Sequence, residues 1–174
     1  AAEVLEGHGK ARVITAANVF AHITEPHGVV AAIAELLTPD GLFISESHYL
    51  LALVETLQYD TIYHEHLRYY HLGSLMRLLA EHGLEVFKVE RIPTHGGSIR
   101  VWFRKRSTHG ARALEMMAEE ASNGLSTLTA WEGFARRASE HRRALRMMLE
   151  ELHGRGKVVA GYGAPAKGNT MLNY

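Results

Sequence analysis

The chain has 174 residues, 47% of them hydrophobic, enough for one ordinary core and the beginning of a second. Lys plus Arg and Asp plus Glu each number 19, so no long-range field selects nucleic acid or an anionic membrane, and partners are recognised locally. The absence of cysteine excludes disulfides, thiolate chemistry and Cys-based zinc sites within these residues; with neither a membrane-length apolar run nor a signal-like start, a soluble cytoplasmic protein is expected.

Residues 11–20, ARVITAANVF, form an apolar run rich in β-branched side chains and broken at Asn18, as in a buried parallel strand. Residues 28–37 carry apolar positions at helical spacing, and Thr38-Pro39-Asp40-Gly41 reads as a turn before a strand over 42–45. A helix is predicted over 72–82, with Leu75, Leu78 and Leu79 on one face and Gly83 closing it. Residues 84–91 and 98–104 alternate as two strands of an antiparallel pair closing the sheet. From 110 to 153 the pattern is helical, broken at Asn123-Gly124. Its apolar stripe is Trp131, Phe134, Ala138, His141, Leu145, Met148 and Leu152, and the interleaved Arg and Glu opposite read as a solvated face. Residues 157–162 read as a new strand running into the glycine-rich 161–168, the opening of a second α/β unit. Both ends read as cuts, so the chain is expected to be an internal fragment.

Histidine is over-represented, with 12 copies. The densest polar cluster, Tyr59-Asp60-Thr61-Ile62-Tyr63-His64-Glu65-His66, places a phenol, two imidazoles and a carboxylate within four residues, a set suited to proton abstraction and oxyanion stabilisation. A surface loop with packed, hydrogen-bonded Tyr63 and His66 is an equal alternative. A zinc-protease pair is disfavoured, because Arg68 stands where the second ligand is required. Asn18 and His22 follow the first strand, where open α/β sheets place a ligand crevice, although a lone His22 is more often structural. Residues 93–98, with paired glycines, read as a hairpin or as a loop whose backbone approaches a ligand. The 161–168 segment is neither a Walker loop nor a G-x-G-x-x-G fingerprint, but its glycines and Lys167 suit phosphate.

NVFAHI at 18–23, YDTIYHEHLRYY at 59–70, PTHGGSIRV at 93–101 and GYGAPAKGNTMLNY at 161–174, in that order, resemble the sugar C-methyltransferases that make branched deoxysugars. That family has an N-terminal zinc-binding domain, a central methyltransferase domain and a C-terminal α/β domain. The resemblance implies an α/β fold: the C-terminal half of a class I, Rossmann-like methyltransferase sheet over 1–106, ending in one reversed strand, then a helical linker over 107–154. The start of a second Rossmann-like, nucleotide-sugar-binding domain follows over 155–174. The cofactor implied is S-adenosylmethionine, with zinc belonging to the family's N-terminal domain and no metal in this chain. The substrate implied is a nucleoside-diphosphate 4-keto-deoxysugar, methylated at C3 through an enolate.

By the same resemblance, His22, Tyr63, Glu65 and His66 form the catalytic set. His66 or Glu65 abstracts or relays the C3 proton, while Tyr63 and His22 position or stabilise the enolate. Ala17 and Asn18 edge the cofactor pocket; His95, Gly96 and Arg100 contact sugar or diphosphate; Gly163, Ala164 and Lys167 bind nucleotide. Without the family's zinc domain and cofactor glycine loop, the isolated chain is expected to be inactive. The competing readings are a methyltransferase acting on a non-sugar small molecule, a non-catalytic nucleotide-sugar-binding module and, last, an NAD-dependent dehydrogenase built around the Gly161 region.

Overall fold

The structure, a computed structural model, describes residues 1–106, 108–163 and 166–174. Helix α1 (Ala2–His8) leads into β1 (Ala11–Ala17), a 3₁₀ turn (Phe20–His22), α2 (Pro26–Leu36) and β2 (Leu37–His48). Then come α3 (Leu50–Glu55), a second 3₁₀ turn (Tyr59–Thr61), α4 (Leu72–Ala80), β3 (Leu84–Ile92), a third 3₁₀ turn (Thr94–Gly96) and β4 (Ser98–Lys105). Helices α5 (Ala111–Ser122), α6 (Leu128–Gly154) and α7 (Ala166–Asn173) complete the described chain.

The sheet order is β1-β2-β4-β3, with β1 parallel to β2 and β4 antiparallel to both its neighbours. The expected hairpin forms, but its reversed strand inserts between β2 and β3 instead of ending the sheet. Composition accounts for this: Ile99, Val101 and Phe103 of β4 are all buried, whereas β3 carries Lys88, Glu90 and Arg91 and suits an edge. One face of the sheet packs on α2, α4 and α5, where Val30, Ile33, Leu72, Leu75, Leu79 and Met116 meet Phe43, Val86, Val89 and Phe103. Each such large side chain withdrawn from water contributes roughly 1.5–3 kcal/mol.

Several boundaries move for local reasons. β1 stops at Ala17 because Asn18 enters the left-handed region, φ 55°, and turns Phe20 into the core. Residues 38–41 do not end a strand: Ala11 pairs with Leu37 and Val13 with Leu42, so the Pro-Gly segment bulges opposite Arg12 and β2 runs unbroken to His48. In β3 a second bulge leaves Phe87 between the pairs Val86–Phe103 and Lys88–Trp102, which returns Val89 to the buried face. The strand expected over 157–162 does not form; Val158, Val159 and Tyr162 are exposed there, and residues 157–162 pair with none of the described strands. In α6 only the first half of the stripe is packed, through Phe134 and Ala138, whereas Met148 is exposed.

Those two α6 residues join Leu53 and Tyr59 in a second, smaller cluster. Helix α7 docks beside it: Tyr174 lies 5.3 Å from the Tyr59 ring, with Arg142 over its face. That contact swings the amino end of α7, including Lys167, toward the carboxyl end of the sheet.

One buried carboxylate ties the helical layer to the strands. Glu120 of α5, with a side chain 5% exposed, accepts hydrogen bonds from His71 Nδ1 (2.7 Å), the Leu72 and Gly73 amides and the Tyr49 hydroxyl (3.0 Å). It thereby satisfies first-turn amides of α4 that no residue of α4 itself reaches. Burial alone raises its pKa, but the hydrogen bonds from His71, Gly73 and Leu72 outweigh that and hold it below the ordinary carboxylate value. A depressed carboxylate contributes stability that is complete above its unfolded-state pKa and lost as pH falls through the folded one. Glu120→Ala is expected to lower unfolding stability by about 3 kcal/mol at neutral pH, with the deficit shrinking toward pH 3, as read by urea denaturation across that range.

Candidate active site

A cleft of about 270 Å³ opens at the carboxyl ends of β1 and β2, where residues from six segments converge. The end of β1 supplies Asn18, the first 3₁₀ turn Ala21 and His22, and the end of β2 Ser47 and His48. The segment after the second 3₁₀ turn supplies Tyr63, His66 and residues 68–70, the β3–β4 loop His95, and α7 Lys167.

The centre of the cleft is a hydrogen-bonded chain with a defined direction. His66 Nδ1 lies 3.0 Å from the Thr61 carbonyl and must donate to it, so in the neutral ring Nε2 carries the lone pair. Tyr63 donates its phenolic proton to that Nε2 at 3.1 Å. Burial is the main influence lowering the pKa of His66; the Thr61 hydrogen bond opposes it, and positive charge from His22 and Lys167 adds to the lowering. Burial, reinforced by Glu65, raises the Tyr63 phenol, which therefore stays protonated. The pair is a neutral base with a neutral acid seated on it.

His22 stands beside this pair, its ring centroid 5.1 Å from that of His66. Its Nδ1 donates to the Glu65 carbonyl at 2.9 Å, which turns Nε2 into the atom left open among the described residues. Glu65 thus takes part through its backbone. Its carboxylate is 60% exposed, 4.0 Å from the still more exposed His64, and does not line the cleft, where the base expected of it would have to stand. The reason is the bend at 63–66: with His66 N bonded to the Tyr63 carbonyl, the side chains at 63 and 66 come together and the one at 65 points away.

The other expected residues divide similarly. Asn18 lines the cleft and reaches His95 Nε2 at 3.4 Å, and both residues have positive φ, 55° and 54°. Strain of this kind persists where surrounding structure over-determines it, here the Asn18 amide bonded to the Glu46 carbonyl. Ala17 pairs with Glu46 as the last residue of β1 and lies outside the lining. Arg100, expected to contact sugar or diphosphate, pairs with Glu46 across the β2–β4 ladder, at 2.9 and 3.1 Å, and lies outside the lining. Gly96 lies behind the cleft wall, where its carbonyl accepts from Gln58. Gly163 is exposed and not part of the lining, Ala164 lies outside the described residues, and Lys167 is in the cleft.

Six lining residues escaped the sequence reading as site residues: Ser47, His48, Ala21, Arg68, Tyr69 and Tyr70. The signal for the first two was present, because polar residues at the carboxyl end of a parallel strand face the crevice; drawing β2 only to Ser45 hid them. Tyr69 donates to the same Thr61 carbonyl that orients His66, at 3.0 Å. Among the described residues no helix is long and apolar enough to cross a membrane, and no group of three or more His, Cys, Asp or Glu is arranged to hold a metal ion.

Two family models cover the chain: residues 1–89 match a methyltransferase domain, and residues 93–174 match a C-methyltransferase C-terminal domain. Over 173 residues the chain is 42% identical to the C-methyltransferase NovU of Streptomyces niveus, a match covering 98% of this chain and 41% of that protein; the chain spans less than half of that relative. Among solved structures, similarity is found to the methyltransferase complexed with the Haloferax volcanii Trm112 methyltransferase activator, at 14% identity and a TM-score of 0.47, covering 57% of this chain and 56% of that one. A Bacillus halodurans methyltransferase matches at 12% identity and a TM-score of 0.43, over 56% of this chain and 65% of that one.

The hydrogen-bond directions are measurable. Nitrogen NMR of the protein is expected to show the His66 proton on Nδ1, with a titration midpoint below that of histidine in an unstructured peptide; a proton on Nε2, or a raised midpoint, contradicts the assignment.

Proposed function

The chain belongs to the methyltransferase family, and from that premise we propose that it carries the catalytic cleft of an S-adenosylmethionine-dependent C-methyltransferase acting at C3 of a nucleotide-linked 4-keto-deoxysugar. The supporting observation is the chain Tyr63 OH to His66 Nε2, His66 Nδ1 to Thr61 carbonyl, facing a cleft at the strand ends. A methylatable carbon must first lose a proton, and a carbon beside a ketone is acidic enough only if a base and an oxyanion donor sit together.

His66 Nε2 is the acceptor for that proton. Its one lone pair is occupied by Tyr63, so the phenolic hydrogen first turns to the substrate carbonyl oxygen, and the freed lone pair then takes the C3 proton. The same turn of the hydroxyl puts a donor where negative charge develops. The Thr61 carbonyl stabilises the imidazolium through Nδ1–H. His22 faces the same space, and because its Nδ1 donates to the Glu65 carbonyl its Nε2 offers a lone pair, which positions the substrate by accepting from one of its hydroxyls.

The residues present fit part of a cofactor site: the Asn18 amide edges the crevice, and the buried Ser47 and Tyr70 hydroxyls lack partners among the described residues. Asn18, with Ala17 behind it, would hold an edge of S-adenosylmethionine, which supplies an electrophilic methyl group when bound. Lys167, on the opposite wall, suits the diphosphate of the nucleotide sugar.

In the full-length protein, His66→Ala is expected to lower kcat by about 100-fold or more and to abolish exchange of the substrate's C3 hydrogen with deuterated solvent, whereas Glu65→Gln stays within a few-fold of wild type. Near-normal exchange in His66→Ala removes the base assignment. Lys167→Ala is expected to raise KM for the nucleotide sugar about tenfold or more with kcat changed less; an unchanged KM removes the diphosphate contact.

A further inference from the structure

The end of β2 holds polar atoms that the proton-transfer chain does not use. Ser47 is 4% exposed and Tyr70 6% exposed, both line the cleft, and neither hydroxyl has a hydrogen-bond partner among the described residues. Buried hydroxyls left unpaired cost roughly 1–3 kcal/mol each, a cost that folding retains where a ligand removes it.

His48, next in sequence and in the same cleft, has its tautomer set by three residues behind it. The Gln58 side-chain nitrogen lies 2.8 Å from the Gly96 carbonyl and 2.6 Å from Thr56 Oγ1, whose own proton goes to the Ala52 carbonyl. Both partners are acceptors in this arrangement, so the amide cannot be flipped, and Gln58 Oε1 is the atom facing His48. His48 Nε2, 3.0 Å from that oxygen, must then donate. In the neutral ring Nδ1 is an acceptor, and no partner is found for it among the described residues. The loop glycines make this possible: a Cβ at Gly96 would meet the Gln58 amide at 2.8 Å, and one at Gly97 would meet the Ala52 Cβ at 2.5 Å. Burial lowers the pKa of His48 against the Gln58 hydrogen bond, and the nearby Lys167, His66 and His95 oppose a further positive charge there.

We infer that Ser47, His48 and Tyr70 form a hydroxyl-recognising subsite, in which His48 Nδ1 accepts from a ligand hydroxyl and the Ser47 and Tyr70 hydroxyls pair with its neighbouring oxygens, Gln58 being the positioning residue that fixes His48. A neutral acceptor flanked by two hydroxyls matches a ring diol, and neither a phosphate nor an apolar group satisfies it. This rests on the proposed methyl transfer only for the identity of the ligand. Two sources of such hydroxyls exist in that reaction, the acceptor sugar and the ribose of S-adenosylmethionine.

The test uses the full-length protein with His48→Phe, Ser47→Ala and Tyr70→Phe, titrated calorimetrically with S-adenosylmethionine and, separately, with a nucleotide 4-keto sugar and its analogue lacking the ring hydroxyl. A roughly 5- to 10-fold weakening for the hydroxylated sugar, with no change for the deoxy analogue, places the subsite on the acceptor. The same weakening for S-adenosylmethionine alone places it on the ribose. Unchanged affinity for all three ligands in all three variants overturns the inference, as does nitrogen NMR showing the His48 proton on Nδ1. Gln58→Leu is expected to reproduce the His48→Phe pattern and to lose the single tautomer, whereas Gln58→Asn is expected to recover part of it. If no keto sugar is turned over by the wild type, the methyl-transfer reading fails while the binding and NMR arms still decide the subsite.

Discussion

The interaction on which the molecule depends is the burial of the Glu120 carboxylate against the start of α4. A charge removed from water survives only if every lone pair is met, and here an imidazole, two backbone amides and a phenol meet it. The consequence reaches the cleft. Tyr49, which donates to Glu120, pairs in parallel fashion with Tyr70, and the Leu50 amide bonds the Tyr70 carbonyl, so the carboxylate on α5 sets the position of a side chain in the cleft wall.

From that frame the chemistry follows by direction of hydrogen bonding more than by residue type. Two backbone carbonyls, of Thr61 and Glu65, take the Nδ1 protons of His66 and His22, and Gln58 takes the Nε2 proton of His48. Each imidazole therefore presents a lone pair, two of them through Nε2 and one through Nδ1. Lowered pKa values at His48 and His66 keep those lone pairs available, and burial is the principal cause in both. The nearby Lys167 ammonium, on the helix that docks on Tyr59, adds a positive charge in the same cleft and lowers both pKa values further.

Much of the fold was legible because periodicity reports burial. The α4 stripe, the closing Gly83, the β3–β4 hairpin and the break between α5 and α6 all follow from alternation, helical spacing or turn chemistry. The failures lie where pairing partners override the local signal. Thr-Pro-Asp-Gly is a turn in isolation, yet the β1 ladder carries it as a bulge; at the other end, a β2 drawn only to Ser45 left Ser47 and His48 unseen. Residues 157–162 have the composition of a strand but pair with none of the described strands, so composition alone does not make them one.

By itself the order of residues determined the α/β class, the neutral overall charge, and the concentration of phenol and imidazole between 59 and 71, since these depend only on composition, spacing and local backbone preference. Only tertiary structure decided which of those groups converge. It placed His66 and Tyr63 inward and the Glu65 carboxylate outward, committed Arg100 to Glu46, and brought Lys167 across from the far end of the chain. The physical reason is that a side chain's role is fixed by where its neighbours' donors and acceptors lie, and those neighbours come from segments distant in sequence.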